Sequence, residues 1–322
     1  ALPGDDDRAF LGHGNDIATV VFSRTDPTTP TQLEDRVIHL DGGAGRDRLV
    51  LGDLHAAFTP RTLDLSNVAG QLTTLGHTTF TGFEAFAITA DADAFDVLRL
   101  GAGNDAVAMS FYRGRGAVAT IDGGAGDDLV IGPQQESGDC FIFGGTGDDT
   151  ITGGGGTGGS AGPWTDRLFG GRGDDMLFLT GVQVVGEGFA EMTGGKGRDL
   201  FVVSNGGRFA HAVITDFAPR ADRIVIDRAG GYGITDAEPR ASAAVPDGLQ
   251  VLRNDAAALH LGMRFTNVYG VSERYFVHYD RATGTLTGQV AAQGLRIEDY
   301  DLVAEIDGAP RLAAAHFLLI DF

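Results

Sequence analysis

The chain has 322 residues, 50 of them glycine and 43% apolar, with a formal charge of −20 and one cysteine. That apolar content excludes a disordered low-complexity tract, although glycine stands at roughly twice its usual ~7%. The 44 acids against 24 bases argue against nucleic-acid or anionic-lipid binding and favour cations as partners. Cys140 has no second cysteine to pair with, so extracellular stability would need another staple, for which bound metal is the candidate. No apolar run approaches the ~18 residues that span a bilayer, so no membrane span is expected. The start, Ala1 to Asp7, carries neither the charged nor the apolar region of a Sec-type signal.

Taken in chain order, the elements are glycine-rich turns that end in aspartate and run into short apolar strands. The first is Leu11-Gly-His-Gly-Asn-Asp16 and the second Gly42-Gly-Ala-Gly-Arg-Asp47. Segment 53–97 lacks the turn. Strand-forming runs near Leu63–Leu65, Leu72–Thr74 and Ala85–Thr89 predict coils there without the motif. Five more turns follow: Leu100-Gly-Ala-Gly-Asn-Asp105, Gly123-Gly-Ala-Gly-Asp-Asp128, Gly144-Gly-Thr-Gly-Asp-Asp149, Gly170-Gly-Arg-Gly-Asp-Asp175 and Gly194-Gly-Lys-Gly-Arg-Asp199. The final aspartates are separated by 31, 58, 23, 21, 26 and 24 residues. The later steps exceed the ~18 residues of a coil built from two nine-residue units. One turn per coil is therefore expected, with the opposite edge closed by variable loops at 132–139, 153–164 and 180–191.

Each letter of the pattern has a physical reason. Glycines at the first, second and fourth places permit positive φ and let carbonyls turn inward around an ion. The sixth-position aspartate adds a hard anionic oxygen. Calcium takes six to eight oxygens, more than one turn offers, so each ion would bridge stacked coils. The ligand set expected on this basis is Asp16; Gly42, Gly43, Gly45 and Asp47; Gly101, Gly103 and Asp105; Gly123, Gly124, Gly126 and Asp128; Gly144, Gly145, Gly147 and Asp149; Gly170, Gly171, Gly173 and Asp175; and Gly194, Gly195, Gly197 and Asp199. The apolar eighth residues Leu49, Val107, Val130, Ile151, Leu177 and Phe201 should point into the roll and stack, with Ala18 a smaller plug in the first copy. Magnesium demands stricter octahedral geometry, and zinc would ask for His or Cys at suitable spacing. Calcium, several ions of it, is the expected cofactor.

These repeats resemble those of the RTX (repeats-in-toxin) family, whose nonapeptide is Gly-Gly-X-Gly-X-Asp-X-apolar-X. The likeness runs intermittently over 9–205 and is densest at 98–204. It implies an all-β fold, a parallel β-roll or β-helix that is right-handed by the usual crossover rule, with a β-rich C-terminal cap. The implied organisation is irregular N-terminal coils over 1–97, a calcium-binding roll over 98–227 and a cap over 228–322. Ile214 to Asp227 resembles the closing segment that follows such repeats, in which Asp216 and Asp222 help bind the last ion; the glycine usual before the second aspartate is Ala221 here. Phe276 to Leu286 reads as strand, turn and strand. The ending His316-Phe-Leu-Leu-Ile-Asp-Phe322 resembles the uncleaved export signal of type I secretion substrates. The secretion machinery is thus an implied partner, the location secreted, extracellular or cell-surface, and folding on calcium would follow export.

Chemistry other than calcium binding has little foothold. The family often carries an enzyme domain ahead of its repeats, whereas these begin near residue 11. No His-Glu-X-X-His motif is present. The histidines at 13, 39, 55, 77, 211, 260, 278 and 316 are scattered. No catalytic residue is expected. The reading favours a non-catalytic extracellular structural, surface-layer, filament or adhesive component, capable of self-assembly or of binding cell-surface or matrix polysaccharide. The alternative is a secreted enzyme or toxin-like effector, for example acting on polysaccharide through a site assembled from several coils; Trp164 beside Pro163 suggests a carbohydrate lip.

Overall fold

The structure is a computed structural model that describes residues 7–21, 38–54, 61–67, 73–75, 78–91, 94–110, 119–132, 139–153, 164–179, 188–204, 210–227, 250–266, 272–291 and 301–320. The chain is nearly all β, a parallel roll built from long, unclosed sheets. Each coil consists of a strand in one sheet, a glycine turn, and a strand in the facing sheet.

The first long sheet has ten strands, all parallel, in the order Ile17–Val21, Arg48–Leu54, Ala85–Asp91, Ala106–Ser110, Leu129–Ile131, Thr150–Thr152, Met176–Leu179, Leu200–Ser204, Arg223–Asp227 and Phe317–Ile320. The facing sheet runs parallel through Thr62–Asp64, Val97–Arg99, Ala119–Ala125, Cys140–Thr146, Trp164–Arg172, Gly188–Lys196, Ala210–Ile214 and Asp301–Ile306. It then continues through antiparallel neighbours Thr285–Ala291, Ser272–Asp280, Ala258–Thr266 and Gln250–Asn254. A separate four-stranded sheet, Asp7–Phe10, Ile38–Asp41, Thr78–Thr81 and Thr73–Leu75, supplies the corresponding strands of the first coils.

Period-2 alternation puts one row of side chains from each sheet into the interior. In the first sheet Val107, Val130, Ile151, Leu177, Phe201, Ile224 and Phe317 are successive register partners, all buried. In the facing sheet Leu63, Leu98, Ile121, Ile142, Leu168, Met192, Ile214 and Ile306 form the opposing row, also buried. Burial of such a side chain contributes about 1.5–3 kcal/mol, and the contribution recurs with every coil. The expected eighth-position plugs thus lie inside, with one irregularity. Leu49 pairs with Phe86, but Val107 pairs with Ile88, so the register slips by two residues at the third coil.

The C-terminal strands extend both sheets. Phe317–Ile320 covers the last strand of the first sheet, and the hairpin Ser272–Asp280 to Thr285–Ala291 turns at Gly284, φ +76°, matching the strand, turn and strand read at Phe276 to Leu286. Tyr279 is fully buried there, its hydroxyl donating to the Pro310 carbonyl at 2.8 Å, while Arg281 Nη2 donates to the Leu312 carbonyl at 3.0 Å. The lone helical element among the described residues is the 3-10 turn Ala314–His316, and none is long and apolar enough to cross a membrane. Leu72, His55, His77, Asp321, Phe322 and most of the variable loops lie outside the described residues.

Candidate metal centre

The seven turns stack along one edge of the roll, linking the facing strands. Two columns of side chains run across them in opposite senses. In the sixth-position column, the backbone N–H of each aspartate donates to the Oδ1 of the next coil's aspartate: Asp105 to Asp128, Asp128 to Asp149, Asp149 to Asp175, Asp175 to Asp199 and Asp199 to Asp222, at 2.8–3.1 Å. Asp16 donates to Asp47 in the same way. In the fifth-position column the polarity reverses. The N–H groups of Arg46, Asp127, Asp148, Asp174 and Arg198 donate back to Oδ1 of Asn15, Asn104, Asp127, Asp148 and Asp174.

The inner column is buried. Asp47, Asp105, Asp128, Asp149, Asp175 and Asp199 are each at most 3% exposed. One oxygen of each carboxylate is taken by the neighbouring N–H, but Oδ2 of Asp16, Asp47, Asp105, Asp128, Asp149 and Asp175 is buried with no hydrogen-bond partner. An ionised carboxylate in that condition costs several kcal/mol, which must be offset by a cation or removed by a proton. The proton side is visible in the acidities. Burial, reinforced by neighbouring aspartates, pushes Asp128 up to about 8, Asp149 and Asp199 to about 7 and Asp175 to about 6. Asp105, raised by burial to about 6, is moderated by backbone hydrogen bonds from Phe86 and Gly101 and by the charge of Arg48.

The glycines divide their work differently from the expectation. Positive φ occurs at the second and fourth places, as at Gly43 and Gly45, Gly124 and Gly126, Gly145 and Gly147, Gly171 and Gly173, and Gly195 and Gly197, but not at the first, and not at Gly101 or Gly103. The first glycine provides space. A Cβ at Gly123, Gly144, Gly170 or Gly194 would lie 2.3–2.5 Å from Oδ2 of that turn's own aspartate. At Gly123 and Gly170 the same point is 2.7 and 2.6 Å from the carbonyl oxygen of the next coil's first glycine, Gly144 and Gly194. The unpartnered carboxylate oxygen and a carbonyl from the adjoining coil therefore converge on a recess that a methyl group would fill. Among the described residues no three His, Cys, Asp or Glu side chains converge as a metal-binding group, so most ligands of any ion here would be backbone carbonyls. Oxygen donors of this kind suit calcium and not zinc.

The closing segment has a different character. Asp222 is buried and both its oxygens are occupied, Oδ1 by the Asp199 N–H at 3.1 Å and Oδ2 by the Ala218 N–H at 2.7 Å. Asp216 is exposed and accepts from the Gly194 and Gly195 N–H groups at 2.9 and 2.8 Å. These two carboxylates end the columns with hydrogen bonds supplied by the chain itself. Ala221, standing where a glycine was expected, donates its N–H to Ala218 and leaves the Asp222 contact intact.

An eighth turn escapes the sequence motif. In Thr81-Gly-Phe-Glu-Ala-Phe86, Glu84 stands where aspartate would be, and its Oε2 accepts the Asp47 N–H at 2.8 Å. The Phe86 N–H, not that of Glu84, passes the column on to Asp105 Oδ1 at 2.6 Å. The two-residue slip lies between this turn and the Asp105 coil, where the Phe86 N–H meets it, and the 58-residue step resolves into 37 and 21. The signal was an apolar residue two places after an acid, without the glycine pair. Of the remaining candidates, Cys140 is buried, and burial followed by the Asp166 charge pushes its thiol pKa well up, leaving it inert. His260 and His278 face each other across two strands, with ring centroids 4.2 Å apart.

No protein-family model matches the chain, and no curated protein shows significant similarity to it.

Proposed function

We propose that the protein is a secreted calcium-binding roll of the RTX type, which folds on meeting calcium and serves as a non-catalytic extracellular scaffold. The observation that carries this reading is the column of buried aspartates whose Oδ2 atoms lack partners and point into glycine-made recesses. Asp128, Asp149, Asp175 and their equivalents, with carbonyls of adjoining glycine turns, would hold the ions. Bound calcium would neutralise charge that burial otherwise penalises, and would cross-link one coil to the next. Where calcium is scarce the carboxylates repel and the coils lack their staples, which suits a chain exported before it folds; outside the cell, millimolar calcium would shift the balance.

The scaffold part rests on the regular length of the roll, a net charge of −20 open to further cation bridging, and the absence of any His-Glu-X-X-His motif. Type I export rests on the likeness of the repeats and of the last seven residues. The test is a calcium titration of the chelated protein, followed by circular dichroism and light scattering. Gain of β structure with saturable uptake of several ions, then growth in particle size, is the expected result. A calcium-saturated monomer that cleaves polysaccharide would replace the scaffold with the enzyme alternative.

A further inference from the structure

A second pair of groups able to hold a metal lies away from the aspartate column, in the antiparallel meander. Ala258–Thr266 and Ser272–Asp280 pair so that His260 stands directly opposite His278. The Arg281 N–H donates to the Ala257 carbonyl at 2.9 Å, which makes 257 and 281 a hydrogen-bonded pair. Such pairs alternate along an antiparallel ladder, so 259 with 279 is hydrogen-bonded and 260 with 278 is not. Side chains approach most closely at a non-hydrogen-bonded pair, where the Cα atoms are about 4.5 Å apart. Strand alternation puts Leu259, Leu261, Val277 and Tyr279 into the core and both histidines on the opposite face, each half-buried.

The rings meet there at a separation that fits an ion. His278 Nδ1 lies 3.3 Å from His260 Nδ1 and 3.0 Å from His260 Nε2, with the ring planes 53° apart. Two imidazole nitrogens bound to one tetrahedral ion at about 2.0–2.1 Å stand about 3.3–3.4 Å from each other, and at a right angle about 2.9 Å. The observed separations span that bite. Histidine's terminal χ2 torsion is broad, so a small ring rotation aims both lone pairs at one apex.

The surroundings suit such an ion. On one side the face is apolar: a Cβ at Gly262 would lie 2.8 Å from Leu252 Cδ1 and 3.5 Å from Phe276 Cδ1. On the other stands Asp280, whose Oδ1 accepts the N–H groups of Ala282 and Thr283. Across the sheet, Arg253 is the register partner of His260 and Thr287 that of His278. The guanidinium of Arg281 is engaged by the Ala258 and Leu312 carbonyls and by Asn254 Oδ1. Paired imidazoles favour zinc or copper over calcium, which asks for oxygen.

We infer that His260 and His278 form a two-imidazole clasp for a divalent ion of the zinc and copper class, with water completing the coordination. The ion ties Ala258–Thr266 to Ser272–Asp280 through side chains and gives the meander a metal staple of its own. The clasp is separate from the aspartate column, so its failure would leave the calcium reading untouched.

The test is a calorimetric titration of the full chain with zinc chloride, in the presence of millimolar calcium and with folding confirmed by circular dichroism. One zinc per chain is expected, and His260→Gln or His278→Gln should each weaken its binding by at least about tenfold. Both variants should fold and respond to calcium as the parent does, which separates loss of a ligand from loss of structure. Copper(II) supplies a second readout: the electron paramagnetic resonance spectrum of the one-to-one complex should show two coupled imidazole nitrogens, reduced to one in either variant. Absence of zinc uptake by the folded chain would overturn the inference and leave the pair as hydrogen-bonded imidazoles. So would stoichiometric uptake that survives replacement of both histidines.

Discussion

The repeat coils and the C-terminal meander use β-structure to opposite ends. In the coils spanning 119–204, the turns bury Asp128, Asp149 and Asp175, whose second oxygens find no donor among the described residues. In the strands between 250 and 306 the buried side chains lean on backbone carbonyls, the Tyr279 hydroxyl on Pro310 and Arg281 Nη2 on Leu312, with Arg281 Nε the one orphan among the described residues there. The difference teaches that the meander meets most of its buried polar needs from its own backbone, whereas the repeat column leaves carboxylate oxygens that a cation or a proton would have to complete. Asp301–Ile306 and Phe317–Ile320 join the last strands of the roll, Ala210–Ile214 and Arg223–Asp227, to this second region.

The sharpest way to break this comparison is to remove calcium and follow hydrogen exchange by region. Chelation at pH 8 should abolish protection of the strands Leu129–Ile131, Thr150–Thr152 and Met176–Leu179 while Ala258–Thr266 and Ser272–Asp280 keep most of theirs. Uniform loss or uniform retention would erase the distinction.

Next in size is substitution within the inner column. Asp149→Ala should raise the calcium needed for folding by at least about tenfold, the lower bound seen when even a supporting group of a metal ligand is lost. Asp149→Asn should do likewise with calcium present, yet stabilise the cation-free chain because it removes a buried charge. Opposite signs in the two conditions, measured by urea unfolding, separate a ligand from a merely structural carboxylate.

The pH dependence has a definite sign. Asp128, Asp149 and Asp199 lie at about 8, 7 and 7 in the folded cation-free chain, against an ordinary value of 3.8. The folded state thus holds protons that the unfolded state has released. That contribution is present in full below pH ~4 and is lost as pH rises toward 8. The chelated protein should therefore be more stable at pH 5 than at pH 8. Calcium affinity should run the other way, rising over the same interval as protons leave the sites. Circular dichroism melts at the two pH values, with and without calcium, check both signs. The smallest effect expected is that of Tyr279→Phe, which should cost about 1 kcal/mol for the lost hydrogen bond to Pro310 and leave the calcium midpoint unmoved.

Much of this was legible in the sequence because the turn is a local device. Gly144 to Ile151 contains its own bend, its own carboxylate and its own core plug, so spacing alone indicates a stacked coil. The Glu84 turn was not legible, since one glycine and a longer acid accomplish through a register slip what the motif does elsewhere with three glycines. The role of the first glycine was also misjudged: Gly144 lacks positive φ, and its importance is the space left for Asp149 Oδ2, which depends on how the turn packs. The C-terminal pairing with the roll was out of reach for a further reason. Asp301–Ile306 pairs with Ala210–Ile214, and Phe317–Ile320 with Arg223–Asp227, across some 90 residues that carry no periodic signal.

The central claim, that the column of buried aspartates is completed by calcium, is met most directly by isothermal calorimetry of the chelated chain at pH 8, read together with far-ultraviolet circular dichroism. The account predicts several ions bound per chain and a rise in β signal that tracks occupancy. Full β signal in chelator, unchanged as calcium is added and without heat of binding, would contradict it.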